Sequence, residues 1–138
     1  METVQATIRF MGYKVQSLRY SKKVGIVDSD VKIELHPSFS RHILKISENQ
    51  YDLELSIVMD QPDLPFDAEV TIVGSFQLSN SHNTDKAMKQ NATAILYPYV
   101  RSTLAMLTTL AAIPPINIPT INLARMFEQE QQKEEALN

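Results

Sequence analysis

Apolar and polar residues alternate through most of the first half of the chain. Val4, Ala6, Ile8 and Phe10 fall on one side of an extended segment, which predicts a half-buried first strand. Met11 and Gly12 break the phase, and Val15, Leu18 and Tyr20 resume it imperfectly, as a bulge near the glycine would cause. After a loop from Lys22 to Asp30, Val31, Ile33 and Leu35 alternate with Lys32 and Glu34 until Pro37 interrupts. Ile43, Leu44 and Ile46 then carry the pattern onward, so this region reads as one long, broken second strand. A tight connection at Asn49 and Gln50 leads to a third strand through Leu53, Leu55 and Ile57, ending near Asp60. Turn residues from Gln61 to Pro65 precede a fourth strand, Phe66 to Leu78, with Val70, Ile72, Phe76 and Leu78 on one face. Strands joined by short turns predict an antiparallel sheet.

From Asn83 the period changes. Leu96, Val100, Thr103, Leu107 and Leu110 recur at helical spacing, while Ile95, Tyr99, Leu104 and Met106 widen the apolar surface around much of the circumference. A helix of this kind needs cover on more than one side, and in a short chain the second cover must come from another subunit. Pro98 predicts a kink or a start close by. A loop rich in proline and isoleucine follows, and Asn122 is a suitable N-cap for a last helix containing Leu123, Met126 and Phe127, which gives way to a polar tail.

At 138 residues, with 43% hydrophobic and 21% charged side chains, the chain fits one ordinary globular domain. The absence of cysteine excludes disulfides, thiolate metal sites and thiol nucleophiles. A net charge of -3 argues against a dedicated nucleic-acid binder. The acids concentrate in residues 31 to 79, which carry -5. The stretch from Ser102 to Ala124 is uncharged, yet Pro114, Pro115 and Pro119 interrupt any helix that would cross a membrane, so no insertion is expected. The N-terminus has neither the basic nor the apolar region of a secretory signal, so a cytoplasmic location is expected.

Few residues offer chemistry. The three glycines stand apart and form no phosphate-binding loop. His36 and His42 flank Pro37 without a third ligand at metal spacing, and read as solvated. Asp52, Glu54, Asp60, Asp63, Asp67 and Glu69 could pair carboxylates, but alternation with apolar residues puts most of them on a wet sheet face, which could also dock a basic partner. Neither an enzyme nor a cofactor is expected.

The distinctive segment is residues 97 to 127. Its Tyr97-Pro98-Tyr99-Val100-Arg101 motif, its Pro114-Pro115-Ile116-Asn117-Ile118-Pro119 loop and the Ile121-Asn122-Leu123 run leading to Met126-Phe127 resemble, in order and spacing, the C-terminal half of SecB, the bacterial protein-export chaperone. The preceding strands are similar too, including Gly74-Ser75-Phe76. The resemblance implies an α+β fold: a four-stranded antiparallel sheet over residues 1–79, a long helix region over 83–112 packed across it, a Pro/Ile loop at 113–121 and a short C-terminal helix at 122–135. It also implies a homotetramer, a dimer of dimers with the long helices between the sheets.

By the same resemblance the chain would be an ATP-independent holdase for unfolded or precursor polypeptides. The groove residues would be Val31, Ile33, Leu35, Ile113, Ile116, Ile118, Met126 and Phe127. The family passes clients to the SecA motor through an acidic patch on the sheet. Ser17 and Ser21 stand where the family has acids and Asp67 where it has leucine, so only Glu69 keeps the family residue. SecA docking through Asp67 and Glu69 is one expectation. The alternatives are a chaperone dedicated to one partner, such as an antitoxin, or a structural oligomer without chaperone activity.

Overall fold

The computed structural model describes residues 8–24, 35–79, 86–113, 123, 125–127 and 129. Strands β1 (Ile8–Lys22), β2 (Ser38–Lys45), β3 (Gln50–Met59) and β4 (Phe66–Leu78) form one sheet in the order β1-β4-β3-β2, with every pair antiparallel. The two hairpins at Asn49 and at Gln61 to Pro65 are short, as expected. In contrast β1 crosses over to pair with β4, leaving β1 and β2 as the two edges.

The irregular phase of β1 has a structural cause. Its register against β4 slips twice, between Phe10 and Gly12 and again between Val15 and Ser17. Gly12 takes φ +115° at the first slip, a conformation that side chains rarely tolerate, so the glycine is required there. The slips keep Phe10, Tyr13, Val15, Leu18 and Tyr20 on one face, opposite Phe76, Gly74, Ile72, Val70 and Ala68 of β4.

That face carries the helical layer. A π-helical segment, Ala87–Ala92, runs directly into an α-helix, α1 (Thr93–Leu110). Leu96, Val100, Leu104 and Leu107 of α1 bury against Leu53, Leu55, Ile57, Val70, Ile72 and Phe76 of the sheet. Burial of each such side chain contributes about 1.5–3 kcal/mol. Leu96 can approach closely because Gly74 lies beneath it: a Cβ at residue 74 would fall 2.8 Å from the Leu96 Cδ1. An aromatic row of Phe76, Phe10, Tyr99 and Tyr13, with centroids 5.2, 5.4 and 4.5 Å apart, ties β1 to the helix.

Several expectations need correction. Pro98 is not a helix start, since α1 begins at Thr93 and continues through it. Leu96, Val100 and Leu107 are buried as expected, but Thr103 is half-buried and Leu110 exposed, and Tyr97, Leu104 and Thr108 complete the buried side. The second strand is not continuous from Leu35: Leu35 to Pro37 are outside any strand and β2 begins at Ser38, consistent with the missing N–H of Pro37. Val31, Ile33, Val4, Ala6 and Asn122 lie outside the described residues.

The C-terminus of α1 is a Schellman turn. The Ile113 N–H donates to the Thr108 carbonyl and the Ala112 N–H to the Thr109 carbonyl, both at 3.1 Å, with Ala112 at φ 58°. This reversal turns Ile113 back onto the core. Alanine here holds a left-handed conformation that glycine adopts without strain. Ala112→Gly is therefore expected to stabilise the fold by about 1 kcal/mol, read as a higher denaturant midpoint at unchanged slope.

Candidate functional site

The site is built where the last helix returns to β2. Leu123, residues 125–127 and Gln129 are helical. Leu123 and Phe127, at 2% and 8% exposure, enter the core, and Met126 packs half-buried against it. Ile113 and Leu123, on either side of the Pro/Ile segment, thus both pack on the core. Ile116 and Ile118, within that segment, lie outside the described residues.

Arg41 of β2 joins these parts. On the helix-facing side of β2 the pattern runs Phe39, Arg41, Ile43, paired with Ile57, Leu55 and Leu53. An arginine breaks an apolar row there. Its Nη1 donates to the Lys89 carbonyl at 2.6 Å and to Thr93 Oγ1 at 3.3 Å, and its guanidinium carbon sits 4.4 Å from the centroid of the Phe127 ring. Nearby, Phe39 meets Tyr97 edge-on at 6.0 Å. Burial pushes the Tyr97 hydroxyl above its ordinary pKa of 10.0, an effect that the Arg101 charge partly opposes, so the ring stays neutral and part of the apolar layer.

The expected groove residues do not all play the same part. Leu35 is exposed, Ile113 and Met126 are half-buried, and Phe127 is buried beneath Arg41. A free Phe127 is therefore not what the fold presents. Sequence patterning missed Arg41 altogether. The signal available was its position, a charge in phase with Phe39 and Ile43.

The opposite face of the sheet holds the acids. Asp67 lies 3.5 Å from Lys23 Nζ, and Glu69 lies 3.3 Å from Arg19. Both acids border an open depression of about 630 Å³, whose lining also includes Arg19, Ser21 and Val58. Ser21 pairs with Asp67 across the ladder and Ser17 with Thr71. Thr71 bonds Ser56 at 2.7 Å and also donates to Glu69 at 3.3 Å. Asp67 and Glu69 are thus charge-paired on this face rather than bare carboxylates. Among the described residues no cluster could hold a metal ion, and no helix is long and apolar enough to cross a membrane.

Comparison with known proteins decides the family. The profile of the family described as preprotein translocase subunit SecB matches residues 5–134. The chain belongs to the SecB family. A protein-export protein SecB of Neisseria gonorrhoeae is 24% identical over 123 residues, covering 85% of this chain and 82% of that protein. An uncharacterized protein of Methanocaldococcus jannaschii is 26% identical over 141 residues, covering 95% and 90%. Among solved structures, a SecB-like chaperone of Mycobacterium tuberculosis, in complex with a peptide from the HigA1 antitoxin, superposes with a TM-score of 0.69 at 13% identity, covering 83% of this chain and 90% of that one. The sheet, long helix and short last helix are the SecB-like fold, and SecB membership places the chain among chaperones tied to protein export.

Proposed function

We propose that this chain is an ATP-independent holdase that keeps unfolded or precursor polypeptides from aggregating before export. The observation that carries this reading is the apolar margin on either side of the Pro/Ile segment: Ile113 before it and Leu123, Met126 and Phe127 after it all pack on the core, with Ile113 and Met126 half-buried. Unfolded clients expose apolar side chains, and burial at roughly 25 cal/mol per Å² accumulates over many contacts without a sequence motif. Leu35, Ile113, Ile116, Ile118 and Met126, with Val31 and Ile33, form the client surface in this proposal, and Phe127 supports it from beneath. No step requires catalysis, a metal or a cofactor.

The working unit in this reading is a cytoplasmic homotetramer. On the side of α1 away from the sheet, Met106 and Leu110 are 64% and 72% exposed, and Arg101 is the helix's sole charge. Tyr13, Val15 and Leu18 of edge strand β1 are also exposed on the helix-facing side. An uncharged helix stripe beside a half-covered edge strand is a surface that a second copy would bury. Asp67 and Glu69 would dock a basic partner such as SecA only by exchanging their ion pairs with Lys23 and Arg19.

The test is light scattering of a chemically denatured client diluted with and without this protein, no nucleotide present, alongside its native mass. Suppression at about one oligomer per client is the expected result. A well-folded oligomer that suppresses nothing would reject the holdase reading. A second reading, a chaperone dedicated to one partner such as an antitoxin, is supported by the likeness to the mycobacterial chaperone and by Ser17 and Ser21 at the family's acidic positions. Capture dominated by one small protein would favour it, and a broad precursor population would reject it.

A further inference from the structure

Arg41 has more partners than a packed surface arginine needs. It lies at the junction between the π-helical segment and α1, where the helical hydrogen-bond pattern changes. In a regular α-helix the Thr93 N–H would bond the Lys89 carbonyl, but here it donates to Gln90. Arg41 supplies a donor to that Lys89 carbonyl at 2.6 Å, and its second contact, Thr93 Oγ1, itself reaches the Met88 carbonyl at 3.5 Å. The flat guanidinium then stacks on Phe127, which sits in the last helix. One side chain thereby joins β2, the helix junction and the C-terminal helix.

We propose that Arg41 is a positioning residue for the client surface, holding the C-terminal helix, and with it Met126, against β2. This rests on the holdase reading of that surface. Two features favour a latch over passive packing. Arg41 occupies a core-facing position opposite Leu55, where an apolar residue would pack without the cost of a partly desolvated charge. Its cation–π contact is made to the one side chain that anchors the far end of the last helix's described turn, so losing Arg41 loosens Phe127 while leaving the sheet core intact.

The experiment uses the full chain carrying Arg41→Met, which keeps the aliphatic stem, and Arg41→Lys, which keeps the charge and a donor but not the flat stacking face. Limited trypsin digestion reads cleavage after Arg125, which is exposed beside Phe127. Stopped-flow fluorescence reads release of a labelled, chemically denatured client. In Arg41→Met, cleavage and client release are both expected to accelerate about thirtyfold, the low end for losing a charged hydrogen bond together with a partly buried cation–π contact. Arg41→Lys should recover part of both, and it carries both readouts if the methionine variant fails to fold. Unchanged cleavage after Arg125 would overturn the latch. Faster cleavage with unchanged release would overturn the role at the client surface and leave a purely structural contact. Wild-type protein that captures no client would reject the holdase reading and the groove role together, while cleavage in the variants would still decide whether the latch exists.

Discussion

Gly74→Val is expected to destabilise the fold by about 3 kcal/mol, a fall of roughly 10 °C in the thermal midpoint, with Gly74→Ala costing about a third of that. A Cβ at residue 74 would meet the Leu96 Cδ1 at 2.8 Å and the Phe76 Cε2 at 3.0 Å. Both side chains are fully buried, so Leu96 has little room to rotate away and α1 must shift outward. The added branches of valine enlarge the clash. The check is a thermal scan of both variants, followed by Gly74→Val in a Leu96→Ala background. If the clash with Leu96 is the cause, the second substitution relieves it and the two effects are strongly non-additive. Additive effects would place the strain elsewhere, against Phe76 or in the strand itself.

Gly74 shows what could be read before the structure and what could not. The bounds Phe66 to Leu78 of β4 were legible because a strand facing the core on one side keeps its apolar residues on the even positions, Val70, Ile72, Phe76 and Leu78. The role of the glycine was not, because it depends on a residue 22 positions away in the helix above. The bulge near Gly12 was legible as a break in phase, whereas the second slip, between Val15 and Ser17, left only a blurred pattern. The order of the strands carries no local signature at all: β1 lies beside β4 through contacts that sequence spacing does not record.

The site was legible to a lesser degree, for a related reason. Apolar residues of the last helix announce themselves, but their burial does not. Met126 and Phe127 are adjacent in sequence, yet one is half-buried and the other sits under a guanidinium from β2. Helical geometry turns them about 100° apart, and which of the two faces the core depends on where the helix docks. In β2 the Phe39, Arg41, Ile43 row was hidden because a charge at its centre obscures the period that defines the strand. The same charge proved to be the link between the strand and the helix.

This difference between Met126 and Phe127 determines how the client surface should be tested. Phe127→Asp would put a carboxylate into the core and remove the ring under Arg41, costing about 3–5 kcal/mol of stability, so lost client binding in that variant would have two explanations. Ile113 and Met126 are better probes, being half-buried and at the margin of the core. The double variant Ile113→Asp, Met126→Asp is expected to weaken the affinity for a chemically denatured client at least tenfold and up to about a hundredfold. That corresponds to about 1.4–2.8 kcal/mol, the scale of two lost apolar contacts. Its native mass should equal that of the wild type, because neither residue lies on the exposed stripe of Met106 and Leu110. Fluorescence anisotropy with a labelled client, paired with native mass spectrometry, reads both quantities. Full affinity in a correctly assembled double variant would move the client surface away from the Pro/Ile loop and its flanks. Dissociation of the oligomer would instead show that these two residues serve the subunit contact.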